Sequence, residues 1–224
     1  MTGRPPPLLL LDLDNTLVDR AGAFARWAEL FAAEHGREDE AAFIVAEDRN
    51  GHTPRPQLAA RVLERFGLDA GPSAVKRMID RLLYEHVDFV EVYDGLAEHL
   101  DVLADDGVRL AILSNGPVEQ QGRKLRRTGI DRRMVDTVIS EGVGVKKPDE
   151  RIFRIALERA GGDPADTWMV GDDPVNDVAG GRAAGLRTAW VGHGTVWSER
   201  GDAAAPPTVE AATTREVLDL ILAR

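Results

Sequence analysis

Four leucines in a row, Leu8 to Leu11, run directly into Asp12-Leu13-Asp14-Asn15-Thr16. A short unbroken apolar run fits a strand buried on both faces of a parallel sheet, not the alternating pattern of a half-exposed strand. Runs of the same style recur at Val108 to Leu113, Thr167 to Val170 and Thr188 to Val191, with a weaker one at Thr137 to Ile139. Helical patterns separate them. Leu96, Leu100 and Leu103 share a face, residues 117–128 form a polar stretch, and Ile152, Phe153, Ala156, Leu157 and Ala160 precede a Gly161-Gly162 stop. A small-residue helix over 175–184 ends at Gly185. Strands alternating with helices imply right-handed crossovers and an α/β fold, a Rossmann-like, doubly wound parallel sheet.

Residues 20–92 break that rhythm with a stretch free of strand-like runs. Phe24, Trp27, Ala28 and Phe31 are spaced for one helix, Leu58, Val62 and Phe66 for another, and Val75, Ile79, Leu82 and His86 for a third, with a fourth around Ala41 to Glu47. The expected organisation is a core domain of residues 1–19 and 93–224, interrupted by a small all-helical domain of residues 20–92. Each apolar stripe in the insert reads first as core packing. Residues 1–7 read as an irregular lead-in because of their prolines, residues 192–213 as an irregular loop, and Thr214 to Leu222 as a closing helix.

The chain has 224 residues, enough for one large domain or a core with an insert. Its 28 bases against 38 acids give a net charge of −10, which argues against nucleic acid or an anionic membrane surface as the main partner. The absence of cysteine removes disulfides, thiolate nucleophiles and cysteine-rich zinc sites. No run approaches the roughly 18 apolar residues of a membrane helix, and Leu8 to Leu11 is too short for a signal-peptide core. The expectation is a cytoplasmic protein without membrane association. Lysine is scarce: only Lys76, Lys124, Lys146 and Lys147 occur, the other bases being arginine, yet two of the four are adjacent.

Ligands of doubly wound sheets bind beyond the carboxyl ends of the strands, and here those ends are polar. Asp12 and Asp14, one residue apart at the exit of a buried strand, repel each other and are costly to desolvate unless a cation joins them; as a plain turn, Asp and Asn are ordinary loop formers. The second run ends in Ser114-Asn115-Gly116, a hydroxyl, an amide and a flexible backbone before a helix, which suits an anion or, equally, an N-cap. Met169-Val170 is followed by Gly171-Asp172-Asp173-Pro174-Val175-Asn176-Asp177, an oxygen-rich segment suited to a hard cation such as Mg²⁺; Asp173 before Pro174 also fits an N-cap without function. Lys146-Lys147-Pro148-Asp149 supplies an ammonium, a good partner for a phosphoryl oxygen or crowded carboxylates. Carboxylates with a metal, an anion nest and a lysine suit phosphoryl transfer to a carboxylate nucleophile.

In this order, DLDNT, SNG, KPDERIF and GDDPVND resemble the four motifs of the haloacid dehalogenase-like superfamily in its phosphatase branch, over about residues 8–192. The resemblance implies a Rossmann-like core with a helical cap inserted after the first motif. It implies that Asp12 is the nucleophile, Asp14 the general acid and base, and Lys147 the lysine of the catalytic set. Thr16 supports the turn and is grouped with Ser114 and Asn115 on the substrate side. Asp12, Asp14 (through its backbone carbonyl), Asp172 and Asp177 would hold Mg²⁺. Asp173 stands where many relatives carry Ser. The implied activity is hydrolysis of a small phosphorylated metabolite, a phosphomonoester, through an aspartyl-phosphate. Two alternatives stand beside it: a 2-haloacid dehalogenase, whose true members lack the acid two residues after the nucleophile, and a non-catalytic phospho-accepting regulatory module. Arg20, Trp27, Arg49, His52, Arg55 and Tyr84 of the insert are candidates for substrate selection, and such proteins occur as monomers and as homodimers.

Overall fold

The structure, a computed structural model, describes residues 7–200 and 205–223. It divides into two compact units, one of residues 1–18 and 92–224 and one of residues 19–91.

The first unit is built on six strands: β1 (Leu8–Leu11), β2 (Arg109–Ser114), β3 (Met134–Ile139), β4 (Thr167–Gly171), β5 (Arg187–Val191) and β6 (Val209–Ala211). All pair in parallel, in the order β3-β2-β1-β4-β5-β6. The four leucines of β1 sit at the centre of the sheet, each at most 1% exposed, and each contributes about 1.5–3 kcal/mol of burial free energy. Leu11 pairs with Ile112 on one side and Val170 on the other. Strands β1, β2 and β4 therefore end at the same edge, and the order reverses direction at β1, the switch point beside which ligands of doubly wound sheets bind.

Among the described residues, six α-helices complete this unit, but their labels follow the four of the inserted unit: α1 (Arg20–Glu34), α2 (Ala41–Asp48), α3 (Arg55–Arg65) and α4 (Pro72–Tyr84). Phe24, Trp27, Phe31, Leu58, Val62 and Leu82 form its apolar core. His86, aligned with the α4 stripe by spacing, lies past that helix in a 3₁₀ turn (Glu85–Phe89) and is fully buried. The sheet unit then carries α5 (Leu96–Asp105), α6 (Val118–Thr128), α7 (Ser140–Val143), α8 (Glu150–Ala160), α9 (Gly180–Ala183) and α10 (Thr214–Leu222). Helix α8 ends on Gly161 in the left-handed conformation, and α10 opens with a Thr213–Glu216 capping box.

Three expectations need revision. Residues 192–213 are not uniformly irregular: a 3₁₀ turn (Trp197–Arg200) and strand β6 lie within them. β6 is a three-residue edge strand with only Val209 buried, too short to leave an apolar run. The expected helix over 175–184 starts instead as a π-helical turn (Pro174–Ala179) that runs into α9. The weak strand at Thr137 to Ile139 starts earlier, at Met134, since its outer residues are half-buried at best and carry little apolar signal. Of the irregular lead-in, residues 1–6 lie outside the described residues, as do 201–204. Among the described residues, no helix is long and apolar enough to cross a membrane.

Candidate active site

Asp12 is the first residue beyond β1, and its N–H still donates to the carbonyl of Val170 at 2.9 Å. That bond fixes the carboxylate at the sheet edge, where it is 7% exposed. Lys147, 2% exposed, reaches it from the loop before α8: Nζ donates to Asp12 Oδ1 at 2.7 Å and to Asp177 Oδ1 at 2.6 Å. Lys146 points outward and is exposed. Of the adjacent lysines, only the second enters the site.

Asp172 follows β4 directly. Carboxylate oxygens of Asp12, Asp172 and Asp177 lie within 4.8 Å of one another. Asp177 is held by the π-helical turn, and its Oδ2 accepts the Asp173 N–H at 3.0 Å. Gly171 makes room for it, because a Cβ there would overlap the Asp177 carboxyl group. Asp173 accepts from the N–H groups of Val175 and Asn176, both at 2.8 Å; it is the N-cap of that turn.

The electrostatics describe an undercompensated cluster. Burial pushes the Asp12 carboxyl up to about 7 against the pull of Lys147, and the charge of Asp177 pushes the same way. Burial, then the charges of Asp12 and Asp177, hold Asp172 well above the usual carboxylate range. Burial also raises Asp177, with Lys147 opposing. Lys147 is raised despite its burial, by the charges of the same two aspartates. Three carboxylates against one ammonium leave two negative charges with no partner when all ionise. A divalent, oxygen-preferring cation matches both the donor set and that charge.

Asp14 is turned elsewhere. Its carboxylate is not in the three-acid cluster; Lys124 of α6 donates to both of its oxygens, at 2.6 and 2.7 Å, and Gln121 Nε2 reaches Oδ2 at 3.1 Å. The same Nε2 contacts Ser114 Oγ at 2.7 Å and the Asn115 carbonyl at 3.1 Å. Ser114 is fully buried at the end of β2. The Asn115 amide clamps the backbone of Lys147, donating to its carbonyl at 3.0 Å and accepting from its N–H at 2.9 Å. Asn115 thus bears on the site by positioning Lys147. Thr16 is also fully buried. Its carbonyl accepts the Thr214 hydroxyl at 2.5 Å, and its own hydroxyl has no hydrogen-bond partner among the described residues. Asn15, between them, has φ 57°, and its carbonyl accepts from His193 Nε2 at 2.6 Å.

Sequence reasoning missed Lys124 and Gln121. The signal was present: in a chain with four lysines, Lys124 lies three residues after Gln121 and beside Leu125, and with Gln120 these are the buried positions of α6. A polar helix with a polar inner face points to a site beneath it.

Within the helical unit, Arg20 and Arg55 both donate to Asp48 at 2.5 Å. Burial raises the Asp48 carboxyl, but the hydrogen bond and charge of Arg20, with those of Arg55, outweigh it, and the net direction is down. Trp27 is core, its indole donating to Glu85 at 2.7 Å. Arg49 and His52 are exposed and Tyr84 is half-buried.

The model of the haloacid dehalogenase-like hydrolases matches residues 7–185. The phosphoserine phosphatase of Thermus thermophilus is 32% identical, over 94% of this chain and 97% of its own. The N-acetylmuramic acid 6-phosphate phosphatase of Pseudomonas aeruginosa is 28% identical, over 95% and 93%. Among solved structures, the HAD-hydrolase YfnB of Bacillus subtilis, bound to magnesium, superposes with a TM-score of 0.78 at 23% identity, covering 97% of this chain and 99% of that one, a likeness of fold.

Proposed function

The chain belongs to the haloacid dehalogenase-like hydrolase family, and we propose that it is a Mg²⁺-dependent phosphatase that hydrolyses a small phosphomonoester through an aspartyl-phosphate on Asp12. The observation that carries this reading is the Lys147 ammonium shared between Asp12 and Asp177, with a second acid, Asp14, two residues beyond the first. The buried ammonium holds Asp12 in place and offsets the repulsion between its carboxylate and an approaching phosphate.

In the first step an oxygen of Asp12 bonds to phosphorus while the ester P–O bond breaks. The leaving alcohol oxygen takes a proton from Asp14. In the second, Asp14 takes a proton from water, whose oxygen attacks phosphorus; the bond to Asp12 breaks, and inorganic phosphate leaves. Gln121 donates to Ser114 Oγ, and the serine O–H, directed at the Asn115 carbonyl at 3.4 Å, is the donor assigned to a phosphoryl oxygen once substrate is bound. Asp12, Asp172 and Asp177, with the backbone carbonyl of Asp14, would hold Mg²⁺, which supplies charge neutralisation of the phosphoryl oxygens. Halide leaves carbon as an anion and needs no proton, so a second carboxyl group at Asp14 favours the phosphomonoester over a haloacid. The helical unit of residues 19–91 is assigned the role of a cap that selects among substrates. The matched relatives are named for an amino-acid phosphate and an amino-sugar phosphate, so the class assigned is the small phosphorylated metabolite.

The test is phosphate release from a panel of phosphomonoesters. The wild-type protein should turn over at least one, reversibly silenced by a chelator, and Asp12→Asn should abolish turnover in folded protein. Full activity in Asp12→Asn overturns the reading. A stable phospho-protein that releases no phosphate would assign it to regulation instead.

A further inference from the structure

We propose that Lys124 is a positioning residue that, together with Gln121, orients the carboxylate of Asp14 for proton transfer at the leaving-group oxygen; this rests on the reading of Asp14 as acid and base given above. Lys124 is 1% exposed. Burying an ammonium is strongly unfavourable unless it is paired with good geometry, and this one is directed at both oxygens of a half-buried aspartate, at 2.6 and 2.7 Å. A contact to both oxygens sets the direction in which the carboxylate points, and the Gln121 contact to Oδ2 alone selects its plane.

Gln121 adds a second, independent hold. Its amide nitrogen faces three acceptors, Asp14 Oδ2, Ser114 Oγ and the Asn115 carbonyl, which sets the amide orientation. Its Oε1 is buried without a partner among the described residues. A buried acceptor left unpaired is destabilising, which an apolar side chain at 121 would avoid, so the amide serves what it touches more than the packing of α6. What it touches is the proposed acid and base on one side and the proposed phosphoryl-binding hydroxyl on the other. The inner face of α6 thus couples two functions that come from different strands: Ser114 from β2 and Asp14 from the loop after β1.

A group that orients a general acid matters in proportion to how much the leaving group needs a proton. The experiment compares kcat/KM over a series of aryl phosphates from phenyl phosphate, a poor leaving group, to 2,4-dinitrophenyl phosphate, a good one, for wild type, Lys124→Met and Lys124→Gln. The gap between the two ends of the series should widen on the order of 10- to 100-fold in Lys124→Met. Lys124→Gln, which keeps an N–H donor, should recover part of it. A parallel loss at both ends overturns the proposal, since a merely structural role lowers all substrates alike. A gain with phenyl phosphate also overturns it, because Lys124 would then restrain Asp14. If Lys124→Met fails to fold, Lys124→Gln is read by the same criterion. A wild-type protein inactive across the series and the wider panel removes the functional reading, and the proposal with it; an active wild type with an unchanged leaving-group dependence in folded variants removes the proposal alone.

Discussion

The indole N–H of Trp190 donates to the backbone carbonyl of Asp172 at 2.8 Å. Trp190 belongs to β5 and is 1% exposed, with Trp197 against it edge-on at 5.2 Å between ring centres. The first residue beyond β4 is therefore held by the neighbouring strand, independently of its own carboxylate. Groups one step removed from a metal commonly change its affinity 10- to 100-fold when lost. Trp190→Phe should weaken Mg²⁺ binding on the order of tenfold in calorimetric titration. Equal affinity in the two proteins would show that this bond does not orient Asp172.

The acidic cluster gives a pH dependence with a definite sign. Asp12, lifted mainly by burial from 3.8 to about 7, keeps a proton in the folded chain that the unfolded chain has lost. Its contribution to stability is complete below pH 3.8 and is lost as pH rises through 7. Asp172 and Asp177, raised in the same direction, add to the effect. A cation that needs the ionised carboxylates stabilises more where protons no longer compete. Melting curves with chelator should show falling stability from pH 5 to 8, and added Mg²⁺ should stabilise increasingly over that range, by about 2.7 kcal/mol at a hundredfold excess over Kd. A Mg²⁺ effect of equal size at pH 5 and pH 8 would contradict this account.

Gly171 is the last residue of β4, and a Cβ there would overlap the Asp177 carboxyl group. Gly171→Ala should therefore push Asp177 away from Lys147 while the sheet still forms. A stability loss of about 1–3 kcal/mol and a fall in kcat/KM on the order of a hundredfold are expected, from urea denaturation and steady-state kinetics. Wild-type kinetics in this variant would mean that Asp177 has freedom to move that the packing denies.

Strands β1, β2, β4 and β5 were legible because they are buried on both faces and so are written as apolar runs. β6 was not: an edge strand of three residues with a single buried side chain carries no periodicity. The site divides in the same way. Asp12, Asp172 and Lys147 leave a trace because each immediately follows a strand or precedes a helix start. Asn115 reads as an anion-binding group, and its amide bonds the Lys147 backbone; which partner an amide finds is decided by a loop thirty-two residues away in the chain. Lys124 and Gln121 left only an indirect trace, two polar side chains on the inner face of a polar helix, and nothing local pointed to their partner, Asp14, more than a hundred positions earlier.

The chain departs for the helical unit after Val18 and returns at Val92, and these two residues pair with each other in antiparallel fashion. The excursion thus begins and ends at neighbouring points stitched together beside the loop that follows β1. Joining its ends is a local matter of the sheet unit, and the entropy of closing so long a loop grows only slowly with what is threaded between them. A different helical module, longer or shorter, can occupy residues 19–91 without re-registering β1. The helical unit is thereby exchangeable as a cassette while the acidic cluster at the sheet edge stays where it is.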